Sequence, residues 1–246
     1  MGISNYLRLW RRGGFPRSYL AVSEMASYEW RRGFIRTFLE RDIPQLGINI
    51  HSATLQRFWN MLAHYHGQIW NASEFGRSFG VADTTVRNYV DILSSALVVR
   101  QLQPWHENIS KRQVKSPKIY IMDSGILHAL LGIKSPLDLE KHPKVGASWE
   151  GFVIEQVIRW VGFRKEECFF WATHGGAELD LLVVRGRERL GFEVKLTSSP
   201  HVSPSMRNAI TDLKLKQLYV IHAGEESFQL EQKIKAIALH RLLKDI

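Results

Sequence analysis

The chain has 246 residues, of which 45% are hydrophobic and 23% charged, a composition that is ordinary for a globular protein. Its single cysteine, Cys168, excludes a disulfide framework and a cysteine-rich zinc site. The formal net charge of +9 favours an anionic partner, and the lack of any long apolar run or signal-peptide core predicts a cytoplasmic protein with no membrane partner.

The positive charge lies mainly in the first half of the chain. Residues 1–124 hold 16 Lys and Arg against nine Asp and Glu, whereas residues 125–246 hold 17 against 15. Nucleic acid is the common polyanion for such a protein, because lysine and arginine neutralise its phosphates. We therefore expect the first half to bind nucleic acid, most simply DNA, and the second half to carry any chemistry. The alternative is a basic protein with no anionic partner.

Residues 1–50 predict a helical N-terminal segment. A helix is expected from Ser23, which is a suitable N-cap, to about Arg41. Its apolar face is aromatic and contains Trp30, Phe34 and Phe38. Aromatic side chains on so short a segment indicate that it packs on another part of this chain or on a second chain.

Residues 51–124 predict a winged helix-turn-helix. Three amphipathic helices are expected, with a tight turn at Gly80 between the second and the third, which spans 84–95. Two strands follow at 96–102 and 118–122, joined by a basic loop. In such folds the third helix enters the major groove. The alternative is a winged helix that serves only as a packing module.

The exposed face of the third helix and the basic loop are the predicted nucleic-acid contacts. These residues are Thr84, Thr85, Arg87 and Asn88 on the helix, and Lys111, Arg112, Lys115 and Lys118 in the loop. The helix side chains would face base edges in the groove, and the loop would lie on phosphate.

Residues 125–144 predict a linker, and residues 145–246 a second domain. The predicted elements of this domain are a helix at 147–161, strands at 168–172, 177–184 and 189–195, a helix at 204–213, a strand at 217–221 and a closing helix at 230–243. The closing helix would bear Ile234, Ile237, Ala238 and Leu242 on one face. This alternation predicts an α/β (α+β) domain with a mixed sheet flanked by helices.

The second and third of these strands carry a candidate site. Asp180 lies in one strand, and Glu193 and Lys195 lie in the other. Side chains alternate along a strand, so Glu193 and Lys195 share a face. Two carboxylates and an ammonium group that meet at one point can hold a divalent cation beside a phosphodiester. The alternative is an ordinary ion pair at the end of a strand.

A helix with Glu, a strand with Asp and a strand with Glu-x-Lys together resemble the restriction-endonuclease-like PD-(D/E)xK core. The matching residues are Glu150, Asp180, Glu193 and Lys195. The resemblance implies that all four are catalytic and that Asp180 and Glu193 bind Mg²⁺ or Mn²⁺, with the Val194 carbonyl as a further ligand. Glu155 competes with Glu150 for the helix position, and the motif favours Glu150.

Longer motifs resemble a narrower family, the C-terminal region of bacterial and archaeal AAA-type P-loop ATPases with a DUF4143 domain. They are GGFPRSYL (13–20), FLERDI (38–43), KSPKIYIMDSGIL (115–127), WEGFVIEQ (149–156), GGAELDLLV (175–183) and FEVK (192–195). This resemblance implies that residues 1–50 are a remnant of an ATPase lid or linker. The chain contains no G-x-x-x-x-G-K-[ST] motif, so we expect it not to hydrolyse ATP by itself.

Three functions follow from these patterns. The first is a Mg²⁺-dependent nuclease, acting on DNA, that binds its substrate through the winged helix. The second is a non-catalytic DNA-binding protein in which the nuclease-like fold is a scaffold. The third is the assembly half of an AAA-type ATPase that binds a separate P-loop ATPase chain through residues 1–50.

Overall fold

The structure is a computed structural model that describes residues 2–48 and 50–246; Met1 and Asn49, both in the predicted N-terminal segment, lie outside the described residues. The chain divides into two compact units. The first contains Met1–Gln101 and Ile119–Ser148, and the second contains Leu102–Lys118 and Trp149–Ile246. The fold is mixed α/β, with a large mixed sheet and flanking helices, as predicted.

The first unit is mainly helical. Its elements are α1 (Ile3–Arg12), α2 (Pro16–Tyr19), α3 (Glu24–Thr37), a π-helical turn (Phe38–Asp42), α4 (Ile43–Gln45), α5 (Ser52–His64), β1 (Gln68–Ile69), α6 (Ala72–Phe79), α7 (Asp83–Ser95), β2 (Val99–Pro104), β3 (Lys118–Ile121), α8 (Ser124–Leu130) and α9 (Pro136–Lys141). Strands β2 and β3 carry the chain into and out of the second unit.

Helix α3 begins where the sequence predicts. The Ser23 side chain caps it by accepting a hydrogen bond from the Ala26 backbone N–H at 3.1 Å. The α-helical hydrogen bonding ends at Thr37, earlier than predicted, and gives way to the π-helical turn. The aromatic face packs within the chain, because the Phe38 ring lies 5.3 Å from that of Trp59 on α5.

Helices α5, α6 and α7 lie at the predicted positions. Asn71 caps α6 by accepting from the Glu74 N–H, and Gly80 ends that helix in the left-handed conformation, with φ of 67°. On α7 the inward residues Val86, Val90 and Leu93 are fully buried. The burial of one face leaves the opposite face of α7 open to solvent.

Residues 125–144, predicted as a linker, fold within the first unit. Asp123 caps α8 by accepting from the Ile126 N–H at 2.8 Å. Every residue of α8 is buried, and Ile126 and Leu127 join the same hydrophobic core as α5 and α7. Helix α9 starts with a capping box formed by Ser135 and Asp138.

Gly125→Ala is expected to destabilise the first unit by about 1–3 kcal/mol, because overpacking strains the surrounding structure. A methyl group at Gly125 would lie 2.2 Å from the Arg12 carbonyl oxygen, in backbone that cannot move easily. Gly33→Ala in α3 is the matched control, since a methyl group there meets nothing within 4 Å. Helix propensity should make that variant more stable by up to about 1 kcal/mol. Urea unfolding compares the two, and equal stabilities would contradict the prediction.

The second unit contains the large mixed sheet. Its elements are α10 (Val145–Val161, which begins in the first unit), a 3₁₀ turn (Lys165–Glu167), β4 (Cys168–Ala172), β5 (Glu178–Arg185), β6 (Glu188–Lys195), α11 (Pro204–Asp212), β7 (Gln217–His222), β8 (Phe228–Glu231), β9 (Ile234–Ala238), a 3₁₀ turn (Leu239–Arg241) and α12 (Leu242–Asp245). The strand order is β2-β4-β5-β6-β7-β9-β8. The β4–β5, β5–β6 and β8–β9 pairs are antiparallel, and the β2–β4, β6–β7 and β7–β9 pairs are parallel.

The prediction of a closing helix at 230–243 is wrong. The chain instead forms strands β8 and β9, and only Leu242–Asp245 is α-helical. Strand β9 lies between β7 and β8, and its residues Ile234, Ala236, Ile237 and Ala238 are fully buried. A short strand that is buried on both faces has no alternating pattern, so its apolar run resembles that of a buried helix.

A β-bulge interrupts the pairing of β4 with β5. Phe169 pairs with Leu182 and Trp171 with Leu179, so the single residue Phe170 stands opposite both Asp180 and Leu181. Bulges change the direction of side chains and are common beside active sites. This bulge therefore sets the direction in which the Asp180 side chain leaves the strand.

Within the described residues, no helix combines the length and the apolar character needed to cross a membrane.

Candidate active site

The site lies where β5 and β6 separate. The two strands pair from the hairpin turn as far as Leu181 and Phe192. Beyond that pair, the Asp180 Oδ2 atom accepts a hydrogen bond from the Val194 backbone N–H at 2.8 Å. The Asp180 carboxylate thus replaces a backbone acceptor at the fork, and this holds it beside β6.

Glu193 and Lys195 project from β6 on the same face, as the alternation predicts. The Lys195 ammonium donates to Glu193 Oε1 at 2.8 Å. The second carboxylate oxygen, Glu193 Oε2, is buried and has no hydrogen-bond partner among the described residues. Glu193 is 6% exposed and Asp180 is 8% exposed. A buried acceptor without a donor is costly unless something else supplies positive charge.

Two further carboxylates join the cluster through Lys118. Glu150, on α10, has its Oε1 atom 3.3 Å from the Lys118 ammonium, and Glu178, at the start of β5, forms a closer ion pair with the same group. Lys118 is only 3% exposed and lies over the Phe170 ring. Glu155, also on α10, pairs with Arg159 at 3.4 Å. The structure therefore brings Glu150 to the other candidate residues through Lys118.

The electrostatics of the cluster are unfavourable to its buried acids. Burial raises the pKa of Asp180 well above its usual range, and repulsion by Glu193 and Glu150 adds to this. Burial also raises the pKa of Glu193, although Lys195 opposes the shift. Burial alone would lower the pKa of Lys195, but attraction to Glu193 and Asp180 raises it overall. Lys195 therefore stays charged, while the two buried acids are only partly compensated.

The charges can be summed over the named groups. The cluster holds four carboxylates, Glu150, Glu178, Asp180 and Glu193, against two ammonium groups, Lys118 and Lys195. The fully ionised cluster therefore carries two negative charges in excess, which one divalent cation would balance. No three His, Cys, Asp or Glu side chains form a ready metal cage in the part of the chain that is described. Mg²⁺ does not need such a cage, because it commonly uses one or two carboxylates and keeps several waters.

The predicted nucleic-acid contacts fall into two separate places. On α7, in the first unit, Thr84, Arg87 and Asn88 are exposed and Thr85 is half-buried. Lys111, Arg112 and Lys115 are also exposed, but they belong to the Leu102–Lys118 segment of the second unit. The basic loop is thus part of the unit that carries the acidic cluster.

The prediction that Lys118 contacts nucleic acid is wrong, because Lys118 belongs to the acidic cluster. Its ammonium group is buried between Glu150 and Glu178, so it is not free to reach a phosphate. The sequence groups it with Lys111, Arg112 and Lys115 because all four lie in one short basic stretch. Strand β3, which starts at Lys118, is buried throughout, so no alternation of polar and apolar residues marks this lysine as buried.

The comparisons with known proteins bear on both parts of the chain. The model of a domain of unknown function, DUF8612, matches residues 3–137, and that of a second one, DUF4143, matches residues 145–242. The DUF4143 domain predicted from the sequence motifs is therefore confirmed.

Two curated relatives are similar along almost the whole chain. They are the uncharacterized proteins Mb2031c of Mycobacterium bovis and Rv2008c of Mycobacterium tuberculosis, each 51% identical over 243 residues. The match covers 99% of this chain but 55% of each relative, so the chain spans about half the length of these proteins. No solved structure matches significantly. Since the DUF8612 match covers more than half of the residues, the chain belongs to the DUF8612 family and carries a DUF4143 domain after that region.

Proposed function

We propose that the chain is a DNA-binding protein whose second unit hydrolyses phosphodiesters with the help of a bound divalent cation. One observation carries the proposal. Asp180 and Glu193 are both buried at the β5–β6 fork, and Glu193 Oε2 has no donor among the described residues. A structural ion-pair network would satisfy its buried oxygens, whereas a metal site keeps them available.

The arrangement also supports a fold of the PD-(D/E)xK type. Glu150 comes from a helix, Asp180 from the first strand of a hairpin, and Glu193 and Lys195 from the second strand. This is the order of elements that the sequence motif implies. The four side chains lie in one interacting cluster, since Glu150 and Glu193 both perturb Asp180.

Each residue of the cluster can be given a role. Asp180 and Glu193 would hold Mg²⁺ or Mn²⁺, together with the Val194 carbonyl. Such a cation lowers the pKa of a coordinated water and polarises a phosphoryl oxygen. The Lys195 side chain is 43% exposed, so its ammonium can stay bonded to Glu193 while it approaches the negative charge that develops on the phosphate. Glu150, held by Lys118, can accept a hydrogen bond from the attacking water.

The first unit supplies the proposed DNA contact. Helices α5, α6 and α7 followed by β2 and β3 match the element order of a winged helix-turn-helix. Thr84, Arg87 and Asn88 on α7 are the side chains that would enter the major groove.

The competing proposal is an assembly module of an AAA-type ATPase with an inactive nuclease-like scaffold. The motif resemblance favours it, and so does the greater length of the two relatives. In that case the acidic cluster would be structural and would have no catalytic consequence.

Asp180→Ala is expected to abolish metal-dependent cleavage. Plasmid DNA and labelled oligonucleotides are incubated with Mg²⁺, Mn²⁺ or EDTA, and products are followed over time. Loss of one residue that stabilises the transition state typically costs on the order of 100-fold or more in rate. Glu166→Ala is the matched control, because Glu166 is an exposed acid of the same unit. Equal cleavage by the wild type and by Asp180→Ala would refute the nuclease and leave the scaffold.

A further inference from the structure

A pocket of about 340 Å³ lies on the second unit, beside the loop that joins β4 to β5. Lys111 and Arg112 line it from the basic loop, His174 and Ala177 from the β4–β5 loop, and Asn208 from α11. None of the described residues that line it is acidic. Its volume lies within the range of small-ligand sites. The side chains offer an ammonium, a guanidinium, an imidazole and an amide, all of which can donate hydrogen bonds to an anion.

Backbone hydrogen bonds hold the basic residues in this position. The Val114 N–H donates to the Ala172 carbonyl at 3.0 Å, and the His174 N–H donates to the Arg112 carbonyl at 2.9 Å. Between them, Gln113 forms a β-bridge with Thr173. The loop therefore extends the edge of β4, and the backbone of Arg112 is held beside the pocket.

The charge of the pocket is only partly compensated. The Lys111 ammonium pairs with Asp212 at 2.6 Å, and the Lys111 side chain remains 45% exposed. Arg112 and His174 are exposed at the mouth. Glycine follows His174 at two successive positions, and Gly176 takes the left-handed conformation with φ of 85°. The absence of side chains at this turn leaves room for a polymer backbone to approach.

The pocket is next to the acidic cluster along β5. Ala177 lines the pocket, and the following residue, Glu178, pairs with Lys118 inside the cluster. Strand residues rise about 3.3 Å each, so Asp180 lies roughly 10 Å further along the strand. That distance corresponds to about three base-pair steps of a duplex, along whose axis the charges of each strand recur every 3.4 Å or so.

We propose that this pocket binds a backbone phosphate of the nucleic-acid strand that is engaged at the acidic cluster. The proposal rests on the proposed function, because it assigns the substrate-binding part of the same site. Arg112 forms the bidentate contact to the phosphate oxygens, and Lys111 adds charge from beside it. The basic loop thus aligns the strand on the second unit, and α7 contacts nucleic acid independently.

The test is the salt dependence of binding to a labelled single-stranded 12-nucleotide DNA. Fluorescence anisotropy is measured in EDTA, so that no cleavage occurs, over a range of KCl concentrations. Lys111→Ala/Arg112→Ala should weaken binding at least about fivefold at low salt. It should also flatten the slope of log K against log salt by about 0.7, the contribution of one phosphate contact of a single strand.

A matched control removes the same charges elsewhere on the same unit. Lys165 and Arg187 are exposed near the opposite ends of β4 and β5 from the pocket. Lys165→Ala/Arg187→Ala should leave the slope close to that of the wild type. Arg112→Lys keeps the charge and should retain most of the slope, which separates a phosphate contact from a structural role. Equal slopes for the two double variants would overturn the proposal.

The binding test and the cleavage test can succeed or fail independently of each other. If Lys111→Ala/Arg112→Ala changes the slope but the wild type does not cleave, the phosphate pocket stands and the nuclease proposal fails. If Asp180→Ala abolishes cleavage but the double variants bind alike, the nuclease stands and the pocket fails.

Discussion

Asp180→Asn is expected to make the metal-free protein more stable and to remove its stabilisation by Mg²⁺. The aspartate is buried beside two other carboxylates, and its pKa is raised by that burial and by Glu193 and Glu150. Its folded-state pKa lies above the unfolded value, so the ionised form destabilises the fold at neutral pH. Asparagine keeps an acceptor for the Val194 N–H and removes the charge.

The size of this effect follows from the cost of a buried, poorly compensated charge. Replacing buried ionic groups by neutral ones of similar volume is often neutral or stabilising by about 1–4 kcal/mol, and we expect a gain within that range. In the wild type the same gain comes from the cation, which contributes about 2.7 kcal/mol at a concentration 100 times its Kd. The variant should therefore gain stability without metal and should not respond when metal is added.

Thermal unfolding in EDTA and in excess Mg²⁺ or Mn²⁺ measures both effects. A change of 1 kcal/mol shifts the Tm of a domain of this size by roughly 2–8 °C. Glu166→Gln removes an exposed charge from the same unit and should behave as the wild type does under both conditions. If Mg²⁺ raises the Tm of the wild type and of Asp180→Asn equally, the fork does not bind the cation.

The acidic cluster shows what local sequence patterns can predict. Strand alternation placed Glu193 and Lys195 on one face, and the structure confirms this through their 2.8 Å ion pair. The hairpin strands also lie within a residue or two of their predicted bounds. Both features depend only on neighbours along the chain, which is why the sequence predicts them.

The position of Lys118 depends on contacts that are remote in sequence. It reaches Glu150 and Glu178 because residues 102–118 leave the first unit and pair along β4. No pattern within the basic stretch distinguishes a lysine that will be buried by partners 32 and 60 residues away. The β-bulge at Asp180 and Leu181 cannot be predicted from the sequence for the same reason, since a bulge is defined only by the pairing with Phe170 on another strand.

The prediction of a helix in place of strand β9 was wrong for a different reason. Ile234, Ile237 and Ala238 have the spacing of a helical face, and the neighbouring sequence contains no glycine or proline that would argue against a helix. Its strand form is stabilised by pairing with β7 on one side and β8 on the other. Tertiary pairing decides such short apolar segments, and propensity alone does not.

Lowering the pH from 7 to 5 is expected to destabilise the first unit through two buried histidines. Burial lowers the pKa of His66 to about 3, and burial likewise lowers the pKa of His128 to about 3. Both values lie below the unfolded value near 6.5, so each histidine is neutral in the fold and becomes protonated on unfolding. Stability is thus complete above pH 6.5 and is lost as the pH falls from there toward 3.

The hydrogen bond of His66 adds to the effect of burial, whereas burial of His128 outweighs its bond to the Arg11 carbonyl, which by itself would raise the pKa. His66 Nδ1 accepts from the Ile121 backbone N–H at 3.0 Å, so protonation of that atom would set two donors against each other. His128 contacts the Arg11 carbonyl through Nδ1 and the Ser148 hydroxyl through Nε2, at 3.0 and 2.7 Å. At pH 5, about 1.5 pH units below the unfolded pKa, each histidine should cost on the order of 2 kcal/mol.

The buried acids of the second unit act in the opposite direction over this range. Because their pKa values are raised, Asp180 and Glu193 favour the fold more as the pH falls toward 4. Acids with a lowered pKa, such as Asp245 hydrogen-bonded by Arg241, lose their contribution only below about pH 4. Between pH 7 and 5 these two acids should therefore oppose the loss of stability that His66 and His128 cause.

Urea unfolding of the full chain at several pH values between 7 and 5 measures the response. His66→Asn keeps an acceptor for the Ile121 N–H but cannot be protonated, so its loss of stability over this range should be smaller than that of the wild type by about 2 kcal/mol. His64→Asn is the control, since His64 is exposed on α5 of the same unit, and it should follow the wild type. Combining His66→Asn with Asp180→Asn should bring the pH dependence back toward that of the wild type, because the two changes remove opposing contributions from different units. An unchanged pH dependence in His66→Asn would show that this ring is already protonated in the fold, or equally accessible to protons in both states.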